Sequence, residues 1–161
     1  KCIVCKLAVV CLTAVVAIGG VSAPASAKSK GYVFKYKGVS VTMNGAAKKL
    51  IKKAGKPSKK TVKKSCAYKG KDRTYTYKDF QLKTYSKTNN GAEYVSEIRF
   101  RSNKAVTKEG IRIGSSLKDV TKKYGKAKAR FGVYTFKKGS SKLQIMLNGN
   151  KVSAIRYFAS K

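Results

Sequence analysis

The sequence contains no histidine and no tryptophan. Without histidine, neither a Ser-His-Asp nor a Cys-His catalytic arrangement can form, and zinc sites that use imidazole ligands are excluded as well. The 14 glycines include no GxGxxG or GxxxxGK[ST] string, so the phosphate-binding loops that such strings form are absent too. The composition therefore predicts a protein that is not an enzyme and that uses neither a metal ion nor a cofactor.

Acidic residues are nearly as scarce. The carboxylates are Asp72, Asp79, Glu93, Glu97, Glu109 and Asp119. A glycosidase needs two facing carboxylates, and Asp72 and Asp79 are the candidates that a hairpin would bring together. Both stand in strings, GKDR and YKDF, that are typical of turns, where aspartate accepts hydrogen bonds from nearby backbone. We therefore expect both residues to stabilise turns.

Cysteine is almost confined to the first residues of the chain. Cys2, Cys5 and Cys11 lie there, and Cys66 is the fourth. Beyond residue 27 no internal disulfide can form, so stability must come from a hydrophobic core. Cys66 is a candidate nucleophile, but the chain has no histidine to act as its base. The alternation of VKKSCAYKG predicts a strand with Cys66 on one face, and we expect a buried structural role for this small side chain.

The first 27 residues have the layout of a secretory signal peptide. Two lysines precede the apolar run LAVVCLTAVVAI (7–18), and the small residues Ala25-Ser26-Ala27 follow it. The run is too short for a membrane anchor, which needs roughly 18 apolar residues. Lipid attachment is not expected, since Cys11 lies inside the run. The sequence predicts cleavage before Lys28 and a secreted, extracellular protein, with association with the cell wall as a further possibility.

The remainder of the chain contains an internal repeat. VTMNGAAKKLIKKAGK (41–56) aligns with IRIGSSLKDVTKKYGK (111–126), and TYTY (74–77) aligns with VYTF (133–136). VSEIRF (95–100) recurs as VSAIRY. Shared lysines would follow from composition alone, whereas shared glycines and the VSxIR string would not. We interpret the pattern as a duplication, with repeats at 30–103 and 104–161.

Each repeat is predicted to begin with a short strand and a helix. The predicted first strands carry Val39, Val41 and Met43, and then Ile111 and Ile113. The apolar helix stripes are Ala47, Leu50, Ile51 and Ala54, and then Leu117, Val120 and Tyr124. Asn44 is the predicted N-cap of the first helix, and Ser116 with Asp119 forms a capping box on the second. Gly55 and Gly125 are expected to end the two helices.

Alternating strands are predicted to follow each helix. They lie near 61–69, 73–78, 80–86 and 93–101, and then near 129–137, 141–147 and 151–158. LNGNKV predicts a tight hairpin between the last two strands. The predicted fold class is α+β, with two tandem repeats that each pack a short helix on a three- to four-stranded antiparallel sheet, the two sheets forming one continuous curved sheet.

These motifs resemble those of a known group of proteins. The pattern GI.IG.S..DV...YGK…Y.F…L.I.…NG.V..I.Y in 110–157 and the string SCAYKGKDRTYTYKDFQLKTY (65–85) are similar to secreted bacterial proteins with tandem units of the β-lactamase-inhibitor-protein fold. The same unit occurs singly in small outer-membrane lipoproteins of the barrel-assembly machinery. The resemblance covers nearly all of 32–158 and implies that fold, without catalytic residues.

The charge is strongly one-sided. The formal net charge is +32, and only Lys1 and Lys6 of its positive residues lie before residue 28. Basic runs occur at 48–64 and 122–130, and tyrosines occupy several predicted strands. Such a charge favours anionic partners and opposes self-association, so we expect a monomer. Export makes nucleic acid an unsuitable physiological partner.

The sequence therefore predicts a secreted, non-enzymatic protein that binds an anionic wall polymer or membrane surface. The helix lysines expected to bind it are Lys48, Lys49, Lys52, Lys53, Lys122 and Lys123. The alternative is an inhibitor that docks its sheet face on an unidentified extracellular protein. The sheet-face aromatics expected to contribute are Tyr75, Tyr77, Tyr85 and Tyr134, with Tyr75 on the exposed face. The sequence is equally compatible with lysines that only keep the surface solvated and bind no partner.

Overall fold

The computed structural model describes residues 31–160, and the predicted signal peptide at 1–27 lies outside these described residues. The elements in chain order are β1 (Val33–Tyr36), β2 (Val39–Thr42), α1 (Lys48–Ala54), β3 (Lys59–Lys64), β4 (Lys71–Thr76), β5 (Phe80–Ser86), β6 (Glu93–Phe100), α2 (Leu117–Tyr124), β7 (Val133–Lys138), β8 (Ser141–Asn148) and β9 (Lys151–Ala159).

Seven of these strands form one antiparallel sheet in the order β3-β4-β5-β6-β9-β8-β7. Neighbouring strands of this sheet are joined by short connections, with one exception. β6 and β9 are neighbours in the sheet but are not consecutive in the chain. That central pairing runs only from Glu97↔Phe158 to Arg99↔Arg156. β1 and β2 form a separate two-stranded sheet. The two long halves of the sheet thus meet along a short central seam, the register pairs of β6 and β9.

The predicted fold class is wrong. The described chain is mostly β, with 48% strand and 12% helical residues, and it is not built from two tandem helix-on-sheet repeats. The two helices are seven and eight residues long, too short to form a layer over a seven-stranded sheet. The predicted first strands also behave differently: β2 pairs with β1 outside the large sheet, and residues 111–113 form no strand.

The repeated VSxI string encodes a β-bulge in both places. Glu97 pairs with Lys83 while Val95 pairs with Thr84, so Ser96 is an extra residue without a partner across β5. Ser153 is the equivalent extra residue opposite β8. In a regular strand, residues three apart face opposite sides. The bulge turns both the valine and the isoleucine of each string into the core, where all four are buried.

The loops before the two helices attach to these bulged strands in the same way. The amide of Asn44 donates to the carbonyl of Val95 at 2.7 Å, and the amide of Gly114 donates to the carbonyl of Val152 at 2.8 Å. Each valine amide donates back to the carbonyl of the next loop residue, at 2.9 and 2.8 Å. The sequence repeat is therefore visible in these two loop–strand junctions, although the molecule as a whole is a single β-rich assembly.

The core lies on one face of the large sheet, beneath α1, α2 and the β1–β2 hairpin. Phe34 of β1 is fully buried, and its ring centroid lies 5.2 Å from Phe80, 5.6 Å from Phe100 and 6.4 Å from Tyr157. Burying one such side chain stabilises the fold by about 2 kcal/mol. The opposite face of the sheet carries no helix in the described chain, and we call it the open face.

The two helices differ at their N-termini. Helix α2 begins at a complete capping box between Ser116 and Asp119, as predicted. Helix α1 has Ala47 at its N-cap with no side-chain hydrogen bond, so the prediction of Asn44 as N-cap is wrong. Asn44 lies three residues earlier with φ 63°, where it forms part of the loop–strand junction. Glycine ends both helices as predicted, at φ 79° for Gly55 and 84° for Gly125.

Candidate functional site

The lysines predicted to bind a polyanion are all exposed and free of ion pairs. All six lie on the solvent side of α1 or α2, away from the buried Leu50 and Val120. Within residues 31–160 the ion pairs involve Arg73, Lys83, Arg99 and Arg156 with Glu93 and Glu97. Among the described residues no salt bridge therefore neutralises these six lysines, although Lys122 lies near enough to Asp119 to help lower the pKa of that carboxyl.

A depression of about 470 Å³ beside α1 brings several predicted residues together. Lys48, Ile51 and Lys52 of the helix line one side, and Tyr75 of β4 and Glu93 of β6 line the other. The lining is mostly apolar between these charged groups. Two of the predicted lysines and one predicted tyrosine thus meet at one place, which we call the α1 depression.

A third lysine stands above the same tyrosine. The ammonium nitrogen of Lys60 lies 5.3 Å from the centroid of the Tyr75 ring, within cation–π distance. Lys60 and Tyr75 are direct register partners across β3 and β4. Lys49 and Lys53 lie elsewhere on the exposed side of α1, and Lys122 and Lys123 lie on α2, so the structure does not gather all six predicted lysines into one site.

The prediction that Tyr75 is on the exposed sheet face is wrong. Tyr75 is only 4% exposed and Tyr77 only 5%. The alternating sequence showed which residues of β4 share a face, but it did not show which face the helices cover. Tyr75 and Arg73 share the covered face. Tyr77 follows β4 and packs on Phe80, with ring centroids 4.9 Å apart.

The other two predicted aromatics are partly exposed. Tyr134 packs against the core from β7. Tyr85 lies on the open face, stacked at 5.0 Å on Tyr68 and 5.5 Å from Tyr94. Tyr68 itself is 43% exposed. Only Tyr85 of the four predicted residues therefore belongs to an aromatic surface on the open face.

Hydrogen bonds to Glu93 fix the position of the Tyr75 side chain. The Tyr75 hydroxyl donates to both carboxylate oxygens of Glu93 at 3.0 and 2.9 Å, Thr84 donates at 2.8 Å, and the Arg73 Nε lies 3.5 Å away. Burial raises the pKa of Tyr75, and the hydrogen bond to the Glu93 carboxylate raises it further. The ring beneath Lys60 is therefore a neutral, fixed phenol.

Two further predictions about single residues are wrong. Cys66 is exposed, because β3 ends at Lys64 and the following residues leave the strand. Asp72 lies inside β4, not in a turn. Asp79 lies in the connection between β4 and β5, but its carboxylate accepts from the distant Ser102 hydroxyl at 2.8 Å, and its carbonyl accepts from the amide of Arg101 at 2.9 Å. It therefore links that connection to the segment after β6.

The open face carries a charge cluster that the sequence did not indicate. Glu97 is 8% exposed and lies at the centre of the sheet. Its carboxylate is 3.2 Å from Arg156 Nη2, 3.4 Å from Lys83 Nζ and 3.8 Å from Arg99 Nη2. The VSxIR repeat did signal that Arg99 and Arg156 are equivalent. Their meeting across the seam depends on the β6–β9 register, which local patterns do not reveal.

Comparison of the chain with protein-family models, with curated proteins and with solved structures finds no match. Among residues 31–160 no group of three or more cysteine, aspartate or glutamate side chains is placed to hold a metal ion. Within the same range, neither helix is long and apolar enough to cross a membrane.

Proposed function

We propose that this protein is an exported, non-enzymatic binder of anionic envelope polymers, and that it contacts them through α1 and the α1 depression. The observation that carries the proposal is the placement of lysines on α1, which helix stability does not explain. The six lysines, the net charge and the predicted signal peptide support the same function.

The charges of α1 oppose its own folding. Lys48 and Lys49 occupy the first turn, where the helix dipole favours negative groups, and no acidic residue accompanies them. Lys48 with Lys52, and Lys49 with Lys53, are like-charged pairs four residues apart, each costing about 0.3 kcal/mol. The N-cap contributes no side-chain hydrogen bond. A bound anion would remove this repulsion.

In helix α2 the positions of the last two lysines can be explained by helix stability alone. Asp119 occupies its first turn, and Lys122 and Lys123 occupy its last turn. Both placements suit the helix dipole. Lys122 and Lys123 therefore have a structural explanation, and the first-turn Lys118 of α2 stands beside Asp119, whereas Lys48 and Lys49 have no acidic residue beside them. We accordingly assign the direct contacts to α1 and only a general electrostatic contribution to α2.

The α1 depression gives the surface a shape as well as a charge. Lys48 and Lys52 line it together with apolar residues and Glu93, and the Lys60 ammonium lies 5.3 Å from the centroid of the Tyr75 ring. Lysine binds phosphate as a point charge without demanding one geometry. A polymer that alternates phosphate groups with small uncharged units, such as a poly(glycerol phosphate) wall chain, matches this alternation of charge and apolar surface.

The test compares two variants with the same change in charge. Retention on immobilised poly(glycerol phosphate) is measured against salt concentration for the parent, for K48E/K49E and for K104E/K108E. Lys104 and Lys108 are exposed residues remote from α1 in sequence. We expect K48E/K49E to weaken binding by at least tenfold and to flatten the salt slope by roughly one unit per lost contact, a scale calibrated on nucleic acids. K104E/K108E should have a much smaller effect.

Equal losses in the two variants would show that only net charge matters, and would reject the assignment to α1. Unchanged binding in both would reject polyanion binding altogether. Vesicles of phosphatidylglycerol run in parallel separate a membrane surface from a wall polymer as the source of phosphate.

A second candidate is favoured by one observation on the open face. Tyr68 stacks on Tyr85, and the Tyr94 ring is tilted against Tyr85, so the three form a partly exposed aromatic surface of the kind that anchors protein interfaces. In the inhibitor alternative, Y85A abolishes capture of an extracellular protein that resists high salt, while K48E/K49E leaves that capture intact. The polyanion proposal predicts the reverse order of effects on wall retention.

A further inference from the structure

We propose that Arg99 and Arg156 form a binding site for a small organic carboxylate on the open face of the sheet. This site lies on the side of the sheet opposite to α1 and does not depend on the polyanion proposal. The register of the seam, the local charge balance and the shape of the adjoining depression support this site.

The register places two arginines directly opposite one another. Arg99 of β6 and Arg156 of β9 are Cα partners in the seam, and they occupy the same position of the repeated VSxIR string. Like charges at directly opposed positions destabilise a sheet. Arg156 has a structural role, since it lies 3.2 Å from the Glu97 carboxylate and 4.7 Å from the centroid of the Phe158 ring. Arg99 makes only a longer contact with Glu97, at 3.8 Å, so the ion pairs do not account for a second arginine opposite the first.

One carboxylate is shared among three cations in this cluster. Glu97 contacts Lys83, Arg99 and Arg156, and among the described residues no other acid pairs with these groups. Arg99 Nη2 is held at only 3.8 Å. Two buried atoms of the cluster have no hydrogen-bond partner within residues 31–160, the donor Arg156 Nε and the acceptor Glu97 Oε1. Two positive charges and a buried donor therefore remain for a second anion.

The depression next to the arginines is small and only partly polar. Its volume is about 170 Å³, room for roughly five waters. The residues that line it include Arg99, Gln144, Arg156, Val133, Met146 and Ala154. Guanidinium groups match a carboxylate in charge and planar geometry, and the apolar side chains match a short hydrocarbon group. Inorganic phosphate or sulfate offers nothing to that apolar side.

The test uses three probes at fixed ionic strength in a chemical-shift titration of the folded protein. Butyrate has both the carboxylate and the hydrocarbon group, butyramide has the same shape without charge, and inorganic phosphate has charge without hydrocarbon. We expect saturable shifts at the Arg99 and Arg156 Nε–H and at the Ala154 amide with butyrate. The apparent affinities of butyramide and of phosphate should each be at least tenfold lower than that of butyrate.

Variants then assign the contacts. R156Q and R99Q should each weaken butyrate binding at least tenfold, and R112Q, which removes an exposed arginine elsewhere, is the matched control with an expected change under twofold. E97Q removes the competing carboxylate and should strengthen binding severalfold. Because R156Q removes an ion pair across the seam, folding is checked by amide-shift dispersion. R99Q changes a side chain that is 51% exposed and provides the independent result.

Several results would overturn the proposal. Butyrate and phosphate binding with equal affinity would show only general anion binding. A loss in R112Q equal to that in R99Q would have the same meaning. Weaker butyrate binding in a folded E97Q protein would show that Glu97 supports the site, contrary to the charge balance described above.

Discussion

Tyr75 and Tyr77 stand two residues apart and are about equally buried, yet their hydroxyl groups have different surroundings. The Tyr75 hydroxyl donates to the Glu93 carboxylate, whereas the Tyr77 hydroxyl is buried without a hydrogen-bond partner among the described residues. Burial, followed by the nearby charge of Glu93, also raises the pKa of Tyr77. A buried hydroxyl without a partner destabilises the folded state, because it loses its hydrogen bonds to water. A hydroxyl that donates to a carboxylate offsets that loss.

This contrast predicts opposite effects for the same chemical change. Tyr75→Phe should lower the free energy of unfolding by about 1.5 kcal/mol, because it removes a hydrogen bond to a charged group. Tyr77→Phe should raise it by up to about 1 kcal/mol, because it removes a buried donor that has no acceptor. Urea denaturation of the two variants beside the parent measures both. Equal destabilisation by the two changes would contradict this interpretation of the hydroxyl groups.

Cys66 gives a second prediction for a single residue. Since its side chain is exposed, Cys66→Ala should change the free energy of unfolding by less than about 0.5 kcal/mol. An alkylating reagent should modify the thiol in the native protein without denaturant, because the side chain is accessible. Protection that disappears only in denaturant would place Cys66 in a core after all.

At the scale of elements, sequence patterns located most strands well. Alternation and the turn at 148–150 identified β4, β5, β6, β8 and β9, because these signals are local. Gly149 has φ 56°, as the first residue of such a two-residue turn requires. The partner of each strand is a different matter. The pairing of β2 with β1 and the register of β6 with β9 depend on the whole chain, so the predicted fold class failed there.

The candidate site shows the same limit. Helical periodicity correctly placed Lys48 and Lys52 on the solvent side of α1. It could not show that Tyr75 would approach them from β4, nor that the covered face of β4 is the one that carries Tyr75. The cluster around Glu97 was missed for the same reason, since it joins β5, β6 and β9 through long-range register.

The two helices permit a matched test of stability. In K48E/K49E the new carboxylates lie in the first turn of α1, where the dipole favours them, and the like-charged pairs are removed. We expect this variant to be more stable than the parent by about 1 kcal/mol. K122E/K123E places the same charges in the last turn of α2 and should be less stable than the parent. The urea midpoints of both variants, compared with that of the parent, measure these effects. If K48E/K49E is less stable than the parent, then Lys48 and Lys49 stabilise α1 and no binding role is needed to explain them.

The capping box of α2 predicts a dependence on pH. Hydrogen bonds from the Ser116 hydroxyl and then its backbone amide lower the pKa of Asp119. Because the carboxylate is favoured in the folded state, its contribution is present above the ordinary aspartate pKa and is lost as pH falls through the lowered value.

Ser116→Ala should therefore lower the free energy of unfolding near neutral pH, as the loss of an N-cap does, and should lower it less at about pH 2. Ser115→Ala is the control, since its hydroxyl accepts from the Arg112 amide and no carboxylate is involved. The cost of the control should not change with pH. Urea denaturation at the two pH values measures both, and a pH-independent cost for Ser116→Ala would contradict the reciprocal box.

At the scale of the whole molecule, the charge imbalance governs the response to salt. A formal net charge of +32 makes the folded state repel itself, and screening relieves that repulsion. We expect the melting temperature to rise steadily between about 10 mM and 500 mM salt. A neutral osmolyte at matched osmolality controls for general solvent effects. A melting temperature that falls with salt would show that the few ion pairs outweigh the repulsion.

The outer strands of the large sheet explain why so extended a β structure need not polymerise. β3 presents the string KKTVKK along one border, and β7 ends in Lys137 and Lys138 along the other. An unpaired border is a template for another copy of the same chain, and lysines there keep copies apart by repulsion. That protection lasts only while the ammonium groups are unneutralised. Titration with a long polyphosphate should therefore leave the protein dispersed at low and at high polymer ratios and produce β-rich aggregates near charge equivalence, where light scattering and thioflavin fluorescence rise together.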